Sequence, residues 1–333
     1  MRILQINTRY KFGGSTGRIV FDLVNSIQDK GYEAYAAYGY EFRSGSEPYT
    51  LKMESIFRLK LSILETRLFG KHGFYNIDST KKLINWIKTI NPDIIHIHNL
   101  HNHYINVQML FNYIKNNNIP IVWTLHDCWS FTGWCAYFDY VGCSKWKTMC
   151  EKCPCKHDYP FTWFFDRSKT LYKLKKQAFC NVNKLIIVTP SEWLKKNVDQ
   201  SFLKGYSTQI IHNGIDLDVF KPIESDFRNR FGLEKKKVVL SVVNVFEPRK
   251  GTDFLLRLPD LLSDDYKIVI VGINKKTKKQ IKDKCLGILR TEDTKELAEI
   301  YSAADVFINP TLEDNFPTTN IEALACGTPV SLL

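Results

Sequence analysis

The sequence predicts an α/β chain built from two doubly wound domains. Two observations carry this. Short apolar, β-branched runs alternate with helix-period patterns, and the runs are apolar on both faces, as strands of a helix-covered parallel sheet are. The alternation then restarts after a Gly-, Pro- and acid-containing joint, "HNGIDLDVFKPIESD" (212–226). With 333 residues the chain exceeds one ordinary core and suits two, expected at 1–220 and 221–333.

In the first half, strands are expected at 2–7, 33–38, 93–98, 121–126, 184–189 and 208–213. Between the first two, Ile19, Val20, Leu23, Val24 and Ile27 mark one helical face, stopped by Gly31. "YINVQMLFNYIKNNN" (104–118) reads as a further helix. In the second half, strands are expected at 237–243, 267–272, 286–290, 304–309 and 329–333. "DTKELAEIYSAA" supplies a helix whose Asp293 and Glu296 have capping-box spacing. Ligands of such sheets bind beyond the C-terminal strand ends, so two facing domains are expected to form a cleft.

The composition, 44% hydrophobic and 24% charged, is that of a globular chain. No apolar run approaches the roughly 20 residues that span a bilayer, and "MRILQIN" reads as a strand rather than a signal peptide. A cytoplasmic location is expected. The net charge of +11 favours anionic partners. Nucleic acid is the poorest of these, because the basic residues are scattered and no recognition module matches.

Four places carry candidate chemistry. Gly13 and Gly14 follow the first strand and precede a helix, where backbone amides can meet an anion; the GGxxG spacing is not the dinucleotide fingerprint. His126, in "TLHDCW", ends a core strand and is expected at the cleft mouth. Arg249 and Lys250, in "VNVFEPRKG", set two cations at a helix entrance, suited to a diphosphate. "ADVFINPTLEDNFPTTNIEALACGTPV" reads strand, loop, helix, turn, strand. The amides of residues 318 to 320 are expected to face phosphate oxygens. Glu322, one turn in, can accept from two vicinal hydroxyls, such as those of a ribose.

The GG turn, "HNGID", "EPRKG" and this last stretch together resemble the family 4 retaining glycosyltransferases of the GT-B fold, over the whole chain. The cysteine-bearing "HDCWSFTGWCAYFDYVGC" is similar to a subset serving bacterial exopolysaccharide, capsule and lipopolysaccharide synthesis. The resemblance implies a UDP- or GDP-linked sugar donor on the C-terminal domain and a glycan or lipid-linked acceptor on the N-terminal one. By position, it implies that Gly14 lies near the donor phosphate and acceptor, and that His126 contacts the donor sugar. Lys250 then binds the diphosphate and Glu322 the ribose. Asp314 takes the first place of the family's E-x7-E motif, near the sugar. Asn315, Phe316, Pro317, Thr318, Thr319 and Asn320, with Gly13 and Arg249, complete the expected donor contacts. Retention is implied by front-face attack, needing no protein nucleophile and no cofactor. The chain departs from the family in Asp314 for glutamate and in Asn244 for arginine. It also stops at "PVSLL", before a further strand and closing helix. This reads as an incomplete second domain with its last strand at an exposed edge. The alternative reading is an impaired homologue that binds only nucleotide or a partner protein.

Six of the nine cysteines fall in an insertion at about 128–160. Cys135, Cys143, Cys150 and Cys153 end in a CxxC half-site, and a structural Zn2+ is expected on them, with Cys128 and Cys155 as alternates. The other reading is free buried thiols. "MESIFRLKLSILETRLFGKHGFYN" (53–76) is either a basic amphipathic helix on an anionic membrane surface, at the inner face of the membrane, or a core helix with a solvated side. "YPFTWFF" (159–165) adds aromatics suited to an interface.

Overall fold

The computed structural model describes residues 1–11, 14–41, 47–243, 248–279, 281, 283–291 and 293–332. Gly13 and Asn244 lie outside them. The chain forms two compact units, Met1–Asn213 and Gly214–Leu333.

The first unit runs β1 (Arg2–Asn7), α1 (Gly14–Asp29), β2 (Glu33–Tyr38), β3 (Thr50–Lys52), α2 (Ile56–Phe69), α3 (Ile77–Ile90), β4 (Ile94–Ile97), α4 (Val107–Asn117), β5 (Ile121–Thr124), α5 (Ser168–Phe179), β6 (Leu185–Thr189), α6 (Glu192–Val198) and β7 (Ser207–Ile210). Its parallel sheet has the order β3-β2-β1-β4-β5-β6-β7. The second unit runs α7 (Phe227–Phe231), β8 (Lys237–Val242), α8 (Thr252–Arg257), β9 (Tyr266–Val271), α9 (Lys275–Lys278), β10 (Cys285–Ile288), α10 (Thr294–Ser302), β11 (Val306–Asn309), α11 (Thr318–Ala325) and β12 (Val330–Leu332). Its parallel sheet is ordered β10-β9-β8-β11-β12.

The doubly apolar strand pattern is explained by cores on both faces of each sheet. Along β8, Val238 and Leu240 enter one hydrophobic cluster and Val239 the other, as period-2 side chains must. In the first unit Leu4, Ile95, Ile121 and Ile187 build one core. Val20 and Val24 of α1 pack with Ala34 and Ala36 of β2 in the other.

Several boundaries move. The strands expected to 98 and 126 end at Ile97 and Thr124, which leaves His98 and His126 in the loops just beyond. The helix expected from 104 starts at Val107, because the Asn106 side chain accepts from Met109 N at 3.1 Å and caps it. The Asp293 carboxylate caps α10 through Glu296 N at 2.9 Å. The three-residue edge strand β3 has no counterpart in the sequence reading. Among the described residues no helix is long and apolar enough to cross a membrane.

The cysteine-bearing segment after β5 is tied down by a lysine from another element. Lys175, on α5, is fully buried. Its Nζ donates to the Trp129 and Thr132 carbonyls at 2.7 and 3.1 Å and stands 3.6 Å above the Trp129 ring. Burial pulls its pKa down to about 7.

Candidate active site

In a doubly wound sheet the strand order reverses at one place, and the crevice beyond the strand ends there is where ligands bind. In the second unit the reversal lies between β8 and β11. Arg249 and Lys250 follow β8, and Asp314 follows β11, so both loops open at that point. The two loops are stitched together. Leu312 N donates to the Arg249 carbonyl at 2.9 Å, and Arg249 Nη1 to the Glu313 carbonyl at 2.6 Å. Lys250 Nζ forms an ion pair with Asp314 Oδ2, both side chains about four-fifths buried. Gly251 makes this approach possible. Its φ is +66°, and a Cβ there would sit 1.8 Å from the Pro310 carbonyl oxygen.

Glu322 lies on α11 and accepts from Tyr301 Oη at 3.0 Å. Burial raises its carboxyl above the ordinary range, while hydrogen bonds from Tyr301 and Thr318 pull the other way. No side chain caps α11, whose N-cap is Pro317. The expected set of three phosphate-facing amides is reduced, because Asn320 N donates to the Pro317 carbonyl at 3.1 Å. Thr318 and Thr319 remain as the candidate donors. Asn320 instead accepts from Asn309 Nδ2 at 2.8 Å, which ties the helix start to the end of β11. Asn315 is buried, its amide donating to Asp314 Oδ1 at 2.8 Å, and Phe316 is half-buried.

In the first unit the order reverses between β1 and β4. Gly14 opens α1 there with φ +81°, and a Cβ on it would meet nothing within 4 Å. His126 is held in a chain of side chains: its Nε2 is 3.0 Å from His98 Nδ1, and His98 Nε2 is 2.9 Å from Gln5 Oε1. With Gln5 Oε1 accepting, His98 Nε2 carries a proton and His98 Nδ1 accepts from His126 Nε2. Burial keeps His126 neutral, with a pKa pulled down to about 4.

Beside it stands a pair the sequence reading did not single out. His101 Nε2 and Asp127 Oδ2 are 2.7 Å apart, and His101 Nδ1 is 2.8 Å from Tyr159 Oη. Burial opposes ionisation of Asp127, but the His101 charge and hydrogen bond win and hold its carboxyl below the usual range. A signal existed in "HIHNLHNHY" (96–104), four histidines in nine residues running from the end of a strand into the loop beyond. For Tyr301, the partner of Glu322, no sequence signal stands out.

The four cysteines expected on zinc are divided. Cys135 lies within hydrogen-bonding reach of Cys153 and Cys155, and the shared protons raise its pKa while lowering that of Cys155. Cys150 Sγ accepts from Gly133 N at 3.1 Å and feels the charge of Cys143. Among the described residues no group of three or more His, Cys, Asp or Glu side chains is arranged to hold a metal ion.

Comparison with known proteins matches the chain to one family. Residues 13–219 match the profile "Glycosyltransferase Family 4" and residues 224–331 match "Glycosyl transferases group 1". The chain is 28% identical over 344 aligned residues to an Escherichia coli (strain K12) protein provisionally named colanic acid biosynthesis glycosyl transferase WcaC, covering 99% of this chain and 82% of that one. A D-inositol 3-phosphate glycosyltransferase from Mycobacteroides abscessus is 35% identical over 134 residues, 36% of this chain and 30% of the other. Among solved structures, sucrose-phosphate synthase from Thermosynechococcus elongatus superposes with TM-score 0.70 at 17% identity, over 100% of this chain and 81% of that one. Anabaena Alr3699/HepE in complex with UDP-glucose gives 0.62 at 16%, over 100% and 80%. The fold is therefore GT-B, with two Rossmann-like domains. With a family profile over well more than half its length, the chain belongs to glycosyltransferase family 4 and is a glycosyl-transferring enzyme.

Proposed function

We propose that the enzyme moves a sugar from a UDP- or GDP-linked donor to a glycan or lipid-linked acceptor, with retention, in bacterial surface polysaccharide synthesis. The observation that carries the donor part is the cluster at the β8/β11 reversal: Lys250 paired with Asp314, beside Glu322 on an α11 that no side chain caps. The WcaC likeness favours the polysaccharide role.

In this reading Glu322 accepts from both ribose hydroxyls, its orientation fixed by Tyr301. Lys250 exchanges Asp314 for the donor diphosphate, and the released Asp314 turns to a sugar hydroxyl. Because Asp314 is one methylene shorter than the family's glutamate, its reach is shorter. The acceptor hydroxyl attacks the anomeric carbon on the face the phosphate is leaving. The carbon–phosphate-oxygen bond breaks, and the hydroxyl proton passes to the departing phosphate oxygen. Lys250 and the positive end of α11 stabilise the charge that develops on the nucleoside diphosphate. His126, neutral and held by His98, offers the sugar a polar contact without a competing charge.

A panel of UDP- and GDP-sugars tests this, with transfer or hydrolysis read as nucleoside diphosphate release and product anomer read by NMR. Turnover with retained configuration is expected for one donor. Saturable UDP or GDP binding without turnover on any donor would move the assignment to an impaired homologue.

The structural Zn2+ stays a separate proposal, motivated by the Cys135, Cys143, Cys150 and Cys153 spacing with Cys128 and Cys155 as alternates, and it requires the divided thiols to close on the metal. Metal analysis of the purified protein should find one zinc per chain; zinc-free protein with every thiol titratable removes the proposal.

A further inference from the structure

The helix α2 carries apolar residues on both its inward and its outward side. The side chains it turns inward are Leu59, Ser62 and Thr66. Two of these are hydroxyls, satisfied by Asn76 Nδ2 on Ser62 Oγ at 2.9 Å and by His103 Nδ1 against Thr66 Oγ1 at 3.1 Å. The outward stripe at i, i+4 and i+7 is Phe57, Leu61 and Leu64, with Phe57 79% exposed. A helix that had only a protein core to pack against would turn this stripe inward.

A second apolar element is fastened to the same helix. Trp163 N donates to the Arg67 carbonyl at 2.9 Å, and the Arg67 guanidinium lies 5.7 Å from the Trp163 ring centroid and 5.9 Å from that of Phe161. The loop therefore extends the surface of the C-terminal turn of α2. It exposes Phe161, Trp163, Phe164 and Phe165, with Phe164 66% exposed. The 56–71 stretch carries Arg58, Lys60, Arg67 and Lys71 against one acid. That acid, Glu65, is paired with Arg58 at 3.1 Å. Asp166, next to the aromatics, is occupied by the Cys153 and Ser168 amides.

We propose that α2 and the 159–165 loop form one docking surface for a membrane leaflet that contains anionic lipid. Aromatic side chains suit the boundary between headgroup and acyl chain, and the lysines and arginines meet the negative headgroups with their stems along the apolar stripe. A second copy of the chain fits less well. A two-fold interface sets the same patch against itself and brings Lys60 and Lys71 toward their like-charged copies. The inference deepens the acceptor side of the transferase reading, since a lipid-linked acceptor would be met at this surface, but it is measured independently of any transfer.

The full chain is mixed with phosphatidylcholine vesicles, with and without phosphatidylglycerol, and floated on a density gradient. It should float with the phosphatidylglycerol vesicles and lose that binding as salt rises. Phe57→Ser/Leu61→Ser/Leu64→Ser and, separately, Trp163→Ala/Phe164→Ala should each lower vesicle partitioning by about tenfold or more. Lys60→Glu/Lys71→Glu should remove the preference for the anionic vesicles. UDP or GDP binding should stay unchanged throughout, so that failure here and failure of the donor reading are told apart. The proposal is overturned if the wild-type chain does not float with either vesicle. It is also overturned if light scattering shows a dimer that the same substitutions dissolve. Should the triple variant unfold, the loop variant decides.

Discussion

Lys250→Ala should lower kcat for sugar transfer by about 10²- to 10³-fold, with a smaller loss of nucleotide affinity. The reasoning starts from charge. A nucleoside diphosphate leaving group gains negative charge as its bond to the sugar breaks, so a fixed cation there acts more strongly on the transition state than on the bound donor. Lys250 is held by the Asp314 pair and by the stitched Arg249 loop. Steady-state kinetics with varied donor separates the two terms. Because the pair is about four-fifths buried, Lys250→Ala also leaves the Asp314 carboxylate without its ammonium, so a stability loss is expected beside the kinetic one and thermal unfolding of the variant separates the two. A kcat that survives Lys250→Ala would place the leaving-group stabilisation elsewhere.

Glu322→Ala should act on binding rather than on the chemical step. KM for the donor should rise by about 10- to 100-fold with kcat little changed, because losing a charged acceptor from a hydrogen-bonded site costs about 1.5–3 kcal/mol. Glu322→Gln, which can still accept from Tyr301, should fall between. The same residue sets an acid limb. Burial raises the carboxyl pKa, and only the ionised form accepts from both hydroxyls. Donor affinity should therefore fall as pH drops through the raised value, sooner than an ordinary glutamate would allow. In the donor-free protein the sign is opposite: a raised folded pKa means stability lost as pH rises through that window. Isothermal titration across the acid range with wild type and Glu322→Gln checks the binding limb. Equal pH profiles for the two would remove Glu322 from the donor site.

Much of the second unit's site was readable from the sequence because it is local. Arg249 and Lys250 belong to one turn, and Asp314 and Glu322 to one loop and helix, so strand and cap signals place them. What depended on distant partners was not readable. The Tyr301 hydroxyl that orients Glu322 and the Asp127 that pairs with His101 meet them only through tertiary folding. The Asn320 amide is taken up by the Pro317 carbonyl, a matter of turn geometry that "PTTN" does not reveal. Cysteine spacing suggested Cys150 and Cys153 as a half-site, whereas the chain path sets Cys153 with Cys135 and Cys155. For 53–76 periodicity left two readings open. Apolar residues circle α2, and which face is inward was decided by Asn76 and His103, whose hydrogen bonds reward the hydroxyls.

The buried Lys175 bears on how this enzyme can be recombined with its relatives. The cysteine-bearing segment is not a removable module: two of its carbonyls close on an ammonium carried by α5, and Gly133 passes so near Ser168 that a Cβ there would lie 2.3 Å from the Ser168 carbonyl oxygen. Segment and helix are two halves of one joint. A chimera that exchanges 128–160 alone would set foreign carbonyls against the resident lysine, or a resident gap against a foreign side chain. One that carries α5 with the segment would transplant the joint whole.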